Sequence, residues 1–474
     1  MTESEHGAGP RRRWLVALGA IVAAALFAAG LFRIAIEIDP RPGGAIEDVL
    51  ALRDRDDLNV LFILVDTLRA DRLSAYGHER DTSPNLDALA SSGIRFAQQV
   101  SQSSWTKCSM ASLWTGLYPA RTRVLRSQDV LSPDAQLPAE IFQAAGFQTA
   151  AVWRNSWIAP NFGFSQGFDI YLRPRANRNR RARVNRLENP NIMVQGDDSD
   201  ILTSAFEFLR AHGHERWFLY LHMMDVHQYV YKEDTALFGT KYSDAYDNSI
   251  RWVDSLLGHV FAELDDRGLR DRTLIVFSSD HGEAFGEHDG EGHARNVYGE
   301  VTQTPLILGL PFRLDPGIVV ETLSENVDLW PTVLELMGLP ALSDPDGESL
   351  VPQIVAAARG ETGPDGDGVA FAQIDQTWGR NQARPRSMVA VNRGRWRLIY
   401  RAGLPKRSEL YDKWQDPREQ LDLAAEQPEL MEELNATAIS YLESRPPPWG
   451  EDTPTIEIDE MQMNQLRALG YGVQ

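Results

Sequence analysis

Uninterrupted hydrophobic runs recur along the chain from residue 59 and alternate with stretches of helical spacing. Four such runs are typical of strands buried on both faces of a sheet, at 59–65, 148–154, 217–225 and 273–280. Helical spacing lies between them near 137–145, 201–213 and 241–268. Because strands alternate with helices, the pattern predicts an α/β fold, with a mostly parallel sheet sandwiched by helices.

The pattern changes near residue 385, where short alternating segments replace the long apolar runs. The alternating segments SMVAVNRG, RWRLIYR and SELYD, separated by turn residues, are typical of short strands. The polar helical segment PELMEELNATAISYLES follows them. We therefore predict a main domain over 59–384. A C-terminal subdomain with a small antiparallel sheet and helices should occupy 385–474.

The N-terminal segment differs from the rest of the chain in its hydropathy. Residues 14–32 carry no charge and follow Arg11, Arg12 and Arg13. This length fits one crossing of a membrane, and the arginines place the N-terminus in the cytoplasm. We predict a cytoplasmic tail (1–13), a transmembrane helix (14–36) and a linker (37–58), with the remainder outside the cell membrane. A cleaved signal peptide and a buried helix are the alternatives.

Charge and cysteine content narrow the function classes. The formal net charge of -20 argues against a nucleic-acid-binding protein, which needs a basic surface to neutralise phosphates. It leaves anionic small substrates open, because local charge in a pocket can oppose the global sign. The single cysteine, Cys108, permits neither a disulfide framework nor a cysteine zinc site.

Two of the predicted strands end in acidic residues. Asp66 follows the first run, and Asp280 with His281 follows the run at 273–280. Active sites of open parallel sheets form beyond the carboxyl ends of the strands, so these side chains are candidates for a shared site. For Asp66 alone, a helix cap is an equally simple interpretation.

A third motif, SSWTKCSMASLWTGLYPAR at 103–121, resembles the nucleophile motif of the sulfatase family. That motif starts with Cys or Ser, continues with Pro and Arg at alternate positions, and ends in Leu-any-Thr-Gly. Aligning this ending puts Thr106 at the nucleophile position, Cys108 at the proline and Met110 at the arginine. The resemblance implies a Thr nucleophile, as in the phosphate-cleaving branch of the superfamily, and no formylglycine. A simple N-cap is the alternative role for Thr106.

The same resemblance implies a metal site. In the family, carboxylates at two strand ends and the nucleophile hold a divalent cation, which here implies ligation by Asp66, Asp280, His281 and the Thr106 oxygen. Many members have a second acid directly after the first, where this chain has Thr67. Such ligands suit one Ca²⁺, Mg²⁺, Mn²⁺ or Zn²⁺ ion.

The segment DHGEAFGEHDGEGHARNVYGE at 280–300 also resembles the family signature. His293 falls where sulfatases often place a lysine, and His227 matches a family histidine near the leaving group. Either could hold the ester or protonate the leaving oxygen. Arg69 resembles an arginine near the nucleophile, which would contact a substrate oxyanion. The alternatives are structural roles for His227 and His288, and an ion pair of Arg69 with Asp71 or Asp280.

These resemblances imply a metal-dependent sulfatase-like hydrolase or transferase that cleaves phosphate-type esters through Thr106. A sulfuric ester hydrolase is the first alternative, and a non-catalytic binding protein of the same fold is the second. The expected substrate is an anionic ester. An arginine-rich segment at 173–186 would suit a lipid head group or a polysaccharide, although a surface loop explains it as well.

Overall fold

An eight-stranded sheet forms the centre of the fold. The structure is a computed structural model that describes residues 39–175, 196–361, 368–375, 386–450 and 452–458. The described residues form strands in this sheet and in two smaller ones. In chain order the strands are β1 (Asn59–Val65), β2 (Ile94–Val100), β3 (Gln148–Trp153), β4 (Ile170–Leu172), β5 (Trp217–Met223), β6 (Thr273–Ser278), β7 (Ala284–Phe285), β8 (Glu291–Gly292), β9 (Gln303–Gly309), β10 (Ile318–Glu325), β11 (Val369–Asp375), β12 (Ser387–Arg393), β13 (Trp396–Arg401) and β14 (Glu409–Asp412).

The strand order of the central sheet is β10-β2-β9-β6-β1-β5-β3-β4. Every neighbouring pair is parallel except the two pairs that β9 forms, with β2 and with β6. The predicted mostly parallel sheet is therefore confirmed. The long apolar runs correspond to β1, β3, β5 and β6, which lie side by side in the middle of the sheet.

Helices cover both faces of this sheet. The α-helices of the described residues are Ile46–Ala51, Pro84–Ser91, Thr106–Thr115, Pro119–Thr122, Pro138–Ala144, Asp198–His212, Tyr242–Asp266, Gly299–Thr302, Leu329–Leu336, Val351–Ala358 and Pro428–Leu442, of which the last packs on the small C-terminal sheet instead. Successive side chains of a strand point to opposite faces. In β1, Phe62 joins one buried hydrophobic cluster and its neighbour Ile63 joins the other. All seven residues of β1 are buried, which explains its uninterrupted apolar sequence.

The C-terminal part contains a separate four-stranded antiparallel sheet, in the order β11-β12-β13-β14. Leu434 and Ala438 of the last helix pack with Val389 and Leu398 of this sheet. The predicted small antiparallel subdomain with a helix is thus present. Its first strand, β11, precedes residue 385, so the small sheet begins earlier than the predicted domain bound.

The N-terminal predictions lie mostly outside the described residues. This applies to the tail (1–13), the transmembrane helix (14–36) and most of the arginine-rich segment. Among the residues that the structure does describe, no helix combines the length and the apolar character needed to cross a membrane. Within the predicted linker, Ile46–Ala51 form a helix whose Val49 side chain is fully buried in the main core. The described residues from Pro42 onward belong to one compact unit.

Candidate active site

The carboxyl ends of β1 and β6 bring Asp66 and Asp280 together. These strands are parallel neighbours, with Leu64 opposite Ser278, so the residues that follow them emerge at the same sheet edge. Both aspartates are fully buried. The backbone N–H of Thr67 donates to Asp280 Oδ1 over 3.2 Å, which links the two strand ends directly.

Thr67 adopts a backbone conformation that is uncommon for a β-branched residue. Its φ is 61°, in the left-handed region. The hydroxyl of Thr67 donates to the Asp66 carbonyl over 2.6 Å, and the Tyr246 hydroxyl donates to the Thr67 carbonyl over 2.6 Å. Surrounding hydrogen bonds thus hold a strained turn, which directs the Thr67 N–H at Asp280.

The two carboxylates and His281 fit a divalent cation. One ligand atom from each of the three residues lies within 4.8 Å of the others. Asp66 Oδ1 and Asp280 Oδ2 are buried and accept no hydrogen bond from the residues described. Burial and the neighbouring Asp66 charge raise the pKa of Asp280. Buried carboxylate oxygens without donors are costly, and a cation between them would remove that cost.

Hydrogen bonding orients the His281 ring toward the same space. Its Nδ1 donates to the Gly282 carbonyl over 3.0 Å. The Nε2 lone pair consequently faces Thr106 Oγ1 at 3.2 Å and Asp280 Oδ2 at 3.3 Å. Burial lowers the pKa of His281, and the neutral ring is the form that ligates a metal.

Thr106 is the first residue of the helix Thr106–Thr115 and is fully buried. The N-cap residue is Trp105, and no side chain caps this helix end, so Thr106 does not have the N-cap role weighed as an alternative. Its hydroxyl oxygen lies 3.2 Å from His281 Nε2, at the position where the helix N-terminus favours negative charge. The predicted nucleophile therefore lies beside the candidate metal ligand that follows Asp280.

Asn155 is a site residue that the sequence did not reveal. Its Nδ2 donates to Asp66 Oδ2 over 2.6 Å and lies 3.3 Å from Thr106 Oγ1. It follows β3 by two residues, so its position after a strand was the available signal. A lone asparagine in a loop carries no chemical pattern that would have singled it out.

His222 supports Asp66 from the other side. Its Nε2 donates to Asp66 Oδ2 over 3.0 Å, and the Tyr220 hydroxyl lies 2.5 Å from its Nδ1. Although burial alone would raise the pKa of Asp66, the neighbouring His227, the hydrogen bond from His222 and the nearby His281 lower it well below its usual range. His222 therefore holds the carboxylate of Asp66 in place.

Cys108 is not among the described side chains that meet at the candidate metal site. It is buried in the helix, one residue beyond Lys107, and burial raises the pKa of its thiol to about 12. The adjacent Lys107 donates from Nζ to the carbonyls of Ser127 and Asp129 over 2.6 and 2.7 Å. Thr106 lies beside His281, and the Ser109 hydroxyl donates to the Asp280 carbonyl over 2.6 Å, so these two residues of the motif contact the site.

The two predicted histidines also reach the cluster. The ring centroid of His293 lies 4.6 Å from that of His281 and 5.0 Å from that of His227. Burial lowers the pKa of His227, and it lowers that of His293 to about 4. The structure thus groups three histidine rings beside the two carboxylates.

Arg69 has a different place from the one predicted. Its guanidinium donates to both carboxylate oxygens of Asp71, to the Glu283 carbonyl and to Glu287 Oε1, all within 2.9 Å. Four of its five N–H donors are therefore engaged. The structure thus shows the ion pair with Asp71 that was the alternative interpretation of Arg69.

His288 has a structural place as well. Its Nδ1 donates to Glu300 Oε1 over 3.0 Å, its Nε2 donates to the Glu419 carbonyl over 2.8 Å, and its ring stacks on Tyr298. Burial opposes the charge, but these hydrogen bonds raise the pKa of His288 to about 9. Protonated His288 joins the loop between β7 and β8 to the C-terminal part of the protein.

The fold and the cluster together define an α/β protein with a candidate metal centre at its strand ends, next to a hydroxyl at a helix start. The family model described as Sulfatase matches residues 58–339. A second model, N-sulphoglucosamine sulphohydrolase, C-terminal, matches residues 286–443. The chain belongs to the sulfatase family.

Similar proteins agree with this assignment. The chain is 29% identical to arylsulfatase K of Xenopus laevis over 188 residues, which are 39% of this chain and 34% of that protein. It is 26% identical to N-acetylgalactosamine-6-sulfatase of Homo sapiens over 352 residues, which are 63% of this chain and 66% of that protein. In both cases it covers less than two thirds of the relative's length.

Among solved structures, the phosphonate monoester hydrolase of Agrobacterium radiobacter has the same fold. The TM-score is 0.64 at 21% sequence identity, and the match covers 81% of this chain and 95% of that one. The relatives and this neighbour are ester hydrolases, and enzymes of the family use a metal ion. The predicted sulfatase-like enzyme class is confirmed at the level of the family.

Proposed function

We propose that this protein is a metal-dependent hydrolase of phosphate-type esters and that Thr106 is its nucleophile. The observation that supports this most is the position of Thr106 Oγ1, 3.2 Å from His281 Nε2 at the start of a helix and next to Asp280. A hydroxyl needs activation to attack an ester, and this environment offers it from several sides.

The proposed reaction has two displacements. In the first step, the neutral ring of His293 or His227 takes the proton of the Thr106 hydroxyl. Thr106 Oγ forms a bond to phosphorus while the bond from phosphorus to the leaving oxygen breaks, and the histidine passes the proton to that oxygen. In the second step, water attacks phosphorus and the bond from phosphorus to Thr106 Oγ breaks, while the same histidine takes a proton from the water and returns it to Thr106 Oγ. Asn155 holds Asp66 and the threonine hydroxyl in place through both steps. A transferase would differ only in the acceptor, an alcohol instead of water.

Asp66, Asp280 and His281 are the residues that would hold a divalent cation, with Thr106 beside them. Bound there, such an ion supplies charge neutralisation for the anionic ester and lowers the cost of ionising the threonine hydroxyl. The backbone N–H groups at the start of the helix Thr106–Thr115 would donate to anionic oxygens of the substrate.

Sulfate ester hydrolysis is the second candidate, because the similar proteins of Xenopus laevis and Homo sapiens are named as sulfatases. We favour phosphate-type esters because Thr106 carries an ordinary hydroxyl, and because the buried Cys108 thiol is not among the side chains of the candidate metal site. The phosphonate monoester hydrolase that shares this fold is compatible with a preference for phosphate-type esters. The natural substrate would be an anionic ester on a lipid head group or a polysaccharide.

The test is a comparison of chromogenic esters with the full-length protein and added Ca²⁺, Mg²⁺, Mn²⁺ or Zn²⁺. We expect turnover of a phosphodiester or a phosphonate monoester, and loss of more than about 10³-fold in kcat for Thr106→Ala. The matched control is Thr115→Ala in the same helix, whose hydroxyl donates to the Ala111 carbonyl. Turnover of sulfate esters together with an oxidised Cys108 in the intact mass would support the second candidate instead.

We also propose an extracytoplasmic, membrane-anchored location, which rests on the charge pattern of residues 11–32 alone. Protease accessibility of the catalytic part in intact cells and in lysed cells measures it. Protection of the catalytic part in intact spheroplasts would contradict this topology.

A further inference from the structure

Glu283 is a buried carboxylate that the proposed reaction does not use. Its Oε1 accepts a hydrogen bond from His293 Nδ1 over 3.1 Å. The two side chains are 3% and 6% exposed, so water competes little with this contact. A carboxylate that receives the Nδ1 proton of a histidine fixes both the tautomer and the orientation of the ring.

The second oxygen of Glu283 is held from the opposite side. The Tyr229 hydroxyl donates to Glu283 Oε2 over 3.2 Å and lies 2.6 Å from the Tyr242 hydroxyl. The rings of Tyr229 and Tyr242 stack with centroids 4.8 Å apart. Because both carboxylate oxygens have partners on different elements, Glu283 has little freedom to turn away from His293.

The backbone around His293 is also constrained. Gly292 and Ala294 both adopt left-handed conformations, with φ of 80° and 59°. The strained Ala294 donates its N–H to the Ser104 carbonyl over 2.7 Å, two residues before Thr106. This bond joins the His293 segment to the nucleophile segment, and Glu283 then determines how the ring is turned within it.

With Nδ1 bound to Glu283, Nε2 is the ring nitrogen of His293 that is directed to the cluster. The ring lies between those of His281 and His227. Without Glu283, the neutral ring could place its proton on either nitrogen. Only the form with the proton on Nδ1 leaves a lone pair on Nε2, which can take the Thr106 proton and then pass it to the leaving oxygen.

We propose that Glu283 is a positioning residue that fixes the Nδ1-protonated form of His293, with Nε2 toward the reacting ester. This inference rests on the proposed function, since it assumes that His293 serves the leaving oxygen. Tyr229 is the second component of the same support.

Kinetics of Glu283→Gln test the role of the carboxylate. We expect kcat to fall about 10- to 100-fold, the range typical of residues that orient a functional histidine, with KM changed less than about threefold. Glu291→Gln is the matched control, because Glu291 is exposed and lies two residues from His293. In a His293→Gln background, Glu283→Gln should have no further effect on kcat. The proposal would be overturned if Glu283→Gln and Glu291→Gln had the same kcat. It would also be overturned if the losses of Glu283→Gln and His293→Gln were additive in the double variant.

The tautomer can be read without any activity. In the full-length protein labelled with ¹⁵N-histidine, the signals of His293, assigned with His293→Gln, should show the proton on Nδ1 and should change with Glu283→Gln. A wild-type ring protonated only at Nε2 would refute the positioning role even in an active enzyme. Conversely, full activity of Thr106→Ala would refute the proposed function and leave the tautomer result standing.

Discussion

The side-chain amide of Asn155 donates to Asp66 Oδ2 over 2.6 Å. The same nitrogen lies 3.3 Å from Thr106 Oγ1, so one residue of the loop after β3 contacts both a candidate metal ligand and the candidate nucleophile. The two partners are 40 residues apart in the sequence, at Asp66 and Thr106. Asn155 thereby sets the distance between the charge and the hydroxyl on which the proposed reaction depends.

Asn155→Ala should lower kcat by about 10- to 100-fold, because the support of both residues is lost. Steady-state kinetics on a phosphonate or phosphodiester substrate measure this change. Asn85→Ala is the control. Asn85 lies at the start of the helix Pro84–Ser91, and its Nδ2 donates to the Asp254 carboxylate instead of to a site residue. This change should lower thermal stability with kcat unaltered, and equal kcat losses for both variants would argue against a specific role of Asn155.

The sequence predicted the centre of the fold better than its edges. Strands β1, β3, β5 and β6 are buried on both faces, so their sequences are uninterrupted apolar runs. Strand β2 has the sequence IRFAQQV, in which Arg95, Gln98 and Gln99 interrupt the pattern. Strand β9 contains Pro305, which is unusual inside a sheet and argues against a strand when only the sequence is seen.

Candidate ligands could be predicted because strand-end acids follow recognisable runs. Asp66, Asp280 and His281 follow such runs, and Thr106 was assigned from the resemblance of its motif to the sulfatase family. The structure brings Asp66, Asp280 and His281 together, with Thr106 beside His281. Asn155 and Glu283 could not be assigned, because their roles depend on contacts between distant segments. The ion pair of Arg69 with Glu287, which are 2.9 Å apart, could not be assigned for the same reason.

Removal of one strand-end carboxylate should separate cation binding from folding. In Asp280→Asn, the repulsion between two buried carboxylates is gone, so the cation-free protein should melt at the same or a higher temperature than wild type. Wild type should gain thermal stability on addition of the cation, and the variant should not. Melting curves with and without chelator measure both effects. Equal stabilisation of both proteins by the cation would place the metal elsewhere.

His288 should make stability depend on pH in the alkaline range. Its pKa is raised to about 9 in the folded protein, against about 6.5 in an unfolded chain. A group with a raised folded pKa stabilises fully below the unfolded pKa, and this contribution disappears as pH rises through the folded value. The melting temperature of His288→Gln should thus lie furthest below wild type near pH 6. The difference should shrink between about pH 6.5 and 9.

The control for His288 is His259→Gln, because the His259 side chain is exposed on the helix Tyr242–Asp266. Melting temperatures of the three proteins across this pH range give the comparison. A gap between His288→Gln and wild type that grows with pH would contradict the sign of the expected effect. Facing charges that contribute to it are the carboxylates of Glu300 and Glu419.

Replacement of Arg69 should affect stability more than catalysis. Arg69→Met leaves Asp71 and Glu287 without their partner, so the protein should lose stability. The loss should be smaller than the about 3–5 kcal/mol typical of fully buried pairs, because the Asp71 side chain is 57% exposed. The hydrogen bonds of the Arg69 guanidinium go to Asp71, Glu283 and Glu287 and not to Thr106. We therefore expect kcat to stay within about tenfold of the wild-type value. Denaturant unfolding and steady-state kinetics at a temperature where both proteins are folded separate the two effects. A kcat loss as large as that of Thr106→Ala would restore Arg69 as a catalytic residue.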